Sequence, residues 1–288
     1  MKNILSALII GSMLLTATGC SETENIVPRV GEIRSDRVVL IEDFTGVQCV
    51  NCPNASREIT SLIGRYPDNV VAVAYHTDFL GAPITKDGYE SKYDFRTPEG
   101  NELESNYLNT PQGPYLGKPA VGLNRKIFNP LEEFILTGTS IFGNIENELR
   151  TIPKAKINII NTYDEASRKL SVIIEVDPQS ANNGDYRLHA LITESHIIDS
   201  QEDNKIFVKD YDHKHVFRKM LSSLAGDAIG GTLTPGTKIV RNFEFTLPPE
   251  AGWWVAENCS VVAFISDLSV KTFSVGAVLQ AAEAHVTE

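Results

Sequence analysis

The stretch Val38–Tyr66 constrains this chain most, because a β-branched apolar run, a glycine turn and a Cys-x-x-Cys pair stand directly before a helical pattern. It reads VVLIEDFTGVQCVNCPNASREITSLIGRY. Val38 to Ile41 predicts a strand, and Phe44 and Gly46 lead into Cys49 and Cys52. Ala55, Ile59, Leu62, Ile63 and Tyr66 then recur at helical spacing. Cys49 falls at a helix N-terminus, where unpaired backbone N–H groups and the helix dipole favour a thiolate. Cys52 lies one turn further in, close enough to close a small disulfide. Pro53 suits a first turn, in which a missing N–H costs nothing.

This order of strand, loop and dithiol helix resembles the thioredoxin superfamily. The resemblance implies that Asp43, six residues before Cys49, is a buried acid that helps move the proton of Cys52. It also identifies Gly117-Lys118-Pro119-Ala120-Val121 with the segment whose cis-proline packs across the dithiol. The Trp and Gly-Pro of the best-known motif are replaced here by Val47-Gln48 and Val50-Asn51. As a redox site, Cys49 would attack, Cys52 would resolve the mixed disulfide, and Asp43 would relay a proton. As a structural element, the disulfide only staples a helix start. A zinc site would need a second cysteine pair, and His76 is the only nearby candidate; neither metal nor cofactor is expected.

At the N-terminus, Lys2 precedes an apolar run from Ile4 to Leu15 that is too short to remain as a membrane span. The following Thr16-Ala17-Thr18-Gly19-Cys20 resembles a bacterial lipobox. Residues 1–19 are therefore expected to be a lipoprotein signal peptide, with lipid on Cys20 anchoring the chain to a membrane and residues 20–31 as tether. The acidic Ser21–Glu24 run resembles the tether of surface-displayed lipoproteins. The oxidising envelope favours one disulfide, Cys49–Cys52, leaving Cys259 as a buried, inert thiol heading the apolar run to Ile265. A net charge of -11 without a long basic run argues against nucleic acid as a partner.

With 288 residues there is room for two cores. The first domain is expected over residues 32–150. Asn69–His76 reads as a buried strand, and residues 78–114 as an insertion, helical around Gly88–Asp94 and Glu99–Leu108. A strand at Ala120–Asn124 and a helix at Thr139–Arg150 close it. Over residues 151–288 alternation dominates, with strands at Lys156–Tyr163, Lys169–Asp177, Tyr186–Glu194, Thr237–Leu247, Ser260–Asp267 and Thr272–Ala282. The expected fold is an α/β thioredoxin-like domain with a helical insertion, followed by an all-β immunoglobulin-like sandwich. Within the second part, Asp212-His213-Lys214-His215 would put two imidazoles on one face of an extended surface strand, without a convincing third ligand. Trp253-Trp254 reads as a core plug rather than an exposed aromatic platform.

Taken whole, the chain resembles the outer-membrane protein family named for its twenty-eight-kilodalton founder. Four stretches carry the likeness: Glu42–Gly46 with Cys49, Cys52 and Pro53; Pro119–Arg125; Asp210–Arg218; and Val261–Asp267. The resemblance implies an envelope lipoprotein at the outer membrane or cell surface. Its expected chemistry is thiol–disulfide exchange, with exported proteins or peptides as substrates. The alternative is a non-enzymatic binding or adhesion lipoprotein that uses the thioredoxin fold as scaffold.

Overall fold

The computed structural model describes residues 33–287, apart from 111–112, 115–116, 129–139, 250–252 and 273–274. The expected signal peptide, Cys20 and tether lie outside these residues. Strand β1 (Val39–Thr45) is buried at every position, as its unbroken apolar start demands. It pairs in parallel with β2 (Val70–His76), in register from Val39↔Val70 to Thr45↔His76. Between them runs α1 (Cys52–Arg65), whose Ala55, Ile59 and Leu62 pack onto Val39, Ile41, Val70 and Ala72. A turn, α2 (Asp78–Gly81), is broken at Leu80 by a positive φ.

Beyond it come α3 (Pro98–Leu108) and the two-residue strands β3 (Asn109–Thr110) and β4 (Gly113–Pro114). The helix expected around Gly88–Asp94 is absent. The backbone N–H groups of Lys92 and Tyr93 donate to the Asp199 carboxylate, so they are lost to any helical ladder. Strand β5 (Ala120–Leu123) lies antiparallel to β1. Helix α4 (Ser140–Leu149) lays Ile141, Ile145 and Leu149 on the same face as α1.

Ten strands follow: β6 (Ala155–Asp164), β7 (Lys169–Pro178), β8 (Asn182–Glu194), β9 (Ile197–Asp203), β10 (Ile206–His213), β11 (Val216–Met220), β12 (Asp227–Leu233), β13 (Ile239–Thr246), β14 (Cys259–Thr272) and β15 (Val275–His285). Here the structure corrects the expected fold class. The chain is mostly β, and it is not a thioredoxin-like domain followed by an immunoglobulin-like sandwich. Strand β11 pairs antiparallel with β8 and parallel with β2, where the Ala74 N–H donates to the His215 carbonyl at 2.8 Å. That joint produces one eight-stranded sheet in the order β15-β14-β8-β11-β2-β1-β5, with β12 also on β8.

One face of the shared sheet packs on a three-stranded sheet, β13-β7-β6, through Leu170, Val172, Ile174 and Val176 against Leu188, Ala190, Val261 and Ile265. The other face forms a core from both ends of the sequence, with Leu40, Phe44, Tyr75 and Leu103 against Leu191, Phe217, Val262 and Phe264. The continuous burial of Leu188–Glu194 is the physical sign of this arrangement, since a strand covered on both faces loses its polar alternation. Among the described residues no helix is long and apolar enough to cross a membrane.

Candidate functional site

The turn after β1 is built on Gly46, where an added Cβ would stand 2.3 Å from the Leu80 carbonyl oxygen. Its carbonyl accepts from the Cys49 N–H, and the Cys49 carbonyl accepts from the Cys52 N–H as α1 begins. Cys49 and Cys52 form a disulfide with Cα atoms 5.4 Å apart. Both are buried, at 1% and 2% exposure. The Lys118–Pro119 peptide is cis.

A roof lies over the turn, and most of it comes from the β9–β10 hairpin. Asn204 and Lys205, both at positive φ, make its two-residue bend. The Glu202 N–H donates to the Val47 carbonyl and the Asn204 N–H to the Val50 carbonyl. The buried Gln201 amide donates to the Gly46 and Cys49 carbonyls at 3.2 and 3.3 Å. Arg57 of α1 grips Asp203 at 2.8 Å. Apolar contacts finish the seal, with Val47 packed among Ile84, Phe95, Ile197 and Val216.

Behind Cys52 lies a small cavity of about 20 Å³, lined by Asp43, His76, Cys52, Gln201, Tyr211 and His213 among others. Burial pushes the Asp43 carboxyl up to about 7, against the pull of the Lys118 ammonium. That ammonium donates to the Thr45 and Phe79 carbonyls and pairs with Glu104. Burial holds the His76 imidazole well below its usual range, and the His213, Lys118 and Arg218 charges add to this. His213 is pushed down to about 4 by burial, with Asp199 opposing. The two rings lie 5.6 Å apart, each tilted against Phe95. Asp43 Oδ1, His76 Nδ1 and His213 Nε2 have no hydrogen-bond partner.

The structure thus gathers Asp43 and Cys52, and it adds His213, which sequence reasoning paired with the wrong neighbour. His213 ends β10 facing inward, whereas His215 sits in a left-handed turn with its N–H on Ser195 Oγ. The two imidazoles do not share a strand face, since His213 is the buried last residue of the half-exposed β10 and His215 lies beyond its end. Among the described residues no group of three or more His, Cys, Asp or Glu side chains is set to hold a metal ion.

A second buried cluster ties the sheet together. Arg125 donates from Nε and Nη2 to Glu42 at 2.8 and 2.7 Å, and the Tyr75 hydroxyl donates to the same carboxylate. The guanidinium lies over the rings of Phe264 and Tyr107. Gly122 is required beside it, because a Cβ there would lie 1.8 Å from the Tyr107 hydroxyl. Trp254 packs into the β-rich core, and the Arg218 guanidinium lies 3.9 and 4.4 Å from the ring centres of Trp253 and Trp254. Cys259 is a free, buried thiol whose pKa burial pushes up, as an inert core residue requires.

The fold has solved counterparts. HBP35 of Porphyromonas gingivalis is similar with a TM-score of 0.65 at 15% identity, over 90% of this chain and 77% of that one. Protein AGR_C_4864 from Agrobacterium tumefaciens is similar with a TM-score of 0.52 at 14% identity, over 88% of this chain and 96% of that one. At such identities the likeness concerns the fold alone. Among curated proteins none matches the chain. The family described as outer membrane protein Omp28 matches residues 115–288, more than half of the sequence, and includes the second, third and fourth of the stretches that carried the resemblance. The chain therefore belongs to the Omp28 outer-membrane protein family and is a protein of the outer membrane of the cell envelope.

Proposed function

We propose that this outer-membrane protein is a lipid-anchored binding or adhesion module in which the Cys49–Cys52 disulfide is a structural cross-link. One observation carries the reading: both sulfur-bearing residues are 1–2% exposed beneath a hairpin hydrogen-bonded to the dithiol turn itself. A protein disulfide substrate must bring its sulfur in line with an attacking thiolate, and a Cys49 only 1% exposed offers it no approach. The lipid anchor draws on the Ala17-Thr18-Gly19-Cys20 sequence, and mass spectrometry of the native N-terminal peptide tests it.

Thiol–disulfide exchange on exported proteins remains the second reading, favoured by Asp43 lining the same cavity as Cys52. It requires the hairpin to lift. Trapping separates the two. In envelope extracts run without reductant, Cys52→Ser should strand no partner on Cys49, and it should look the same as Cys49→Ser. A mixed disulfide captured by Cys52→Ser alone would establish exchange and end the structural reading.

A further inference from the structure

We propose that a cavity of about 230 Å³ lined by His189 binds one small neutral organic molecule, an alcohol or phenol with an apolar body. Its walls come from α3, the turn leading into β12, the irregular stretch of β14 and the start of β15. Leu103, Leu224, Leu268 and Val275 supply an aliphatic lining. A single water needs only about 10–15 Å³ and several polar partners, whereas a dry cavity of roughly 150 Å³ takes up a benzene ring. This cavity is larger than either and largely apolar, so it suits a substituted ring of roughly nine non-hydrogen atoms.

His189 selects the polar end of that molecule. It is 3% exposed, and three neighbours fix its ring. Phe264 stacks on its face, Ser266 Oγ meets Nε2, and a Cβ added at Gly226 would stand 2.7 Å from Nε2. Nδ1 is buried and has no hydrogen-bond partner, although the residue lines the cavity. A buried polar atom left so in a largely apolar pocket points to a ligand group that meets it. Burial holds the ring neutral, with the Arg125 and Arg187 charges adding to this. One nitrogen of a neutral imidazole donates and the other accepts, and the Ser266 hydroxyl can satisfy Nε2 in either role. A ligand hydroxyl also does both, so it satisfies Nδ1 in either tautomer.

Charge disfavours an acidic ligand. Arg125 lines the same cavity, but Glu42 already accepts from its Nε and Nη2. An anion would find that cation balanced and would face the exposed Glu102 of α3. Among the described residues, this cavity and the one behind Cys52 have no lining residue in common. The inference therefore does not rest on the role of the disulfide.

The experiment titrates full-length protein at pH 7, where a phenol is neutral, and follows binding by calorimetry. The probes are para-ethylphenol, ethylbenzene and para-ethylbenzoate. The expected result is one equivalent of para-ethylphenol bound, with the other two at least about tenfold weaker. Ethylbenzene leaves Nδ1 unpaired, and the benzoate brings a charge that the cavity does not balance. Ala225 is exposed and lines the cavity, so Ala225→Trp should fill it and abolish binding while the circular dichroism stays that of wild type. His189→Leu should weaken para-ethylphenol by at least about tenfold and leave ethylbenzene unchanged. If His189→Leu does not fold, Ala225→Trp carries the test. Failure of para-ethylphenol to bind, equal binding of either other probe, or binding untouched by Ala225→Trp overturns the proposal.

Discussion

Arg125 is only 3% exposed, and the fold tolerates its charge there because Glu42 accepts two of its N–H groups and two aromatic rings cover its faces. A buried pair of this kind need not be better than an apolar pair, but removing one partner leaves an uncompensated charge. Arg125→Ala should therefore lower stability by about 3–5 kcal/mol in urea unfolding. Arg125→Met combined with Glu42→Gln should recover most of the loss. Equal losses in the single and double variants would contradict a role confined to pairing. His189 gives the acid limb its sign. Its Nε2 meets Ser266 Oγ at 2.9 Å, and its ring stacks on Phe264 at 4.4 Å. Burial, then Arg125 and Arg187, hold its pKa well below the usual value. The unfolded imidazole takes a proton near pH 6.5 and the folded one does not. Stability contributed here is present above about pH 6.5 and lost as pH falls toward the depressed folded value. Thermal melts of His189→Gln should lose less stability on acidification over that window than wild type. Parallel pH curves would count against the assignment.

Among the elements, the β9–β10 hairpin decides what the dithiol can do, and Asp199 at 0% exposure decides where the hairpin sits. Its carboxylate accepts from the backbone N–H groups of Lys92, Tyr93 and Ser200, pinning hairpin and insertion together. Asp199→Ala leaves those donors without an acceptor, so a loss of about 1–3 kcal/mol is expected. The disulfide should also become more rapidly reducible by a small phosphine, and an unchanged rate would show that the hairpin is not the roof. The dithiol half was legible because its signals are local. Val39–Thr45, Cys52–Arg65, Val70–His76 and Ala120–Leu123 each carry their own periodicity. The roof was not, for β9 buries Asp199, Ser200 and Gln201, whose polar character reads as loop. Its neighbour β10 is half-exposed and has no clean alternation. His213 gave no sign of pairing with His76 across so many residues, because that contact depends on tertiary placement alone. Strands β11 and β12 escaped for a related reason, being short and interrupted by register shifts.

In the whole molecule, the expected division into an α/β part and a separate sandwich gives way to one sheet running through both halves. Val216 against Ala74 is the joint, and the core beside it mixes Phe44 and Tyr75 with Phe217, Val262 and Phe264. The four stretches that carry the family resemblance meet around this joint. Glu42 pairs with Arg125, Phe264 lies beneath that guanidinium, and the segment ending in Arg218 supplies His213 and Phe217. The sequence announced those residues but not their meeting, since periodicity reports which face of a strand is buried and not which strand lies beside it. The central claim is that this fold seals the disulfide, so reduction must wait for the sheet and its hairpin to open. The measurement is the rate at which a dithiol reduces Cys49–Cys52 in intact protein over a urea series, beside the loss of β-sheet circular dichroism. The account predicts reduction in native buffer at least about 100-fold slower than in the unfolded chain, rising with urea in step with unfolding. Rapid reduction of fully folded protein, independent of urea below the transition, would contradict it.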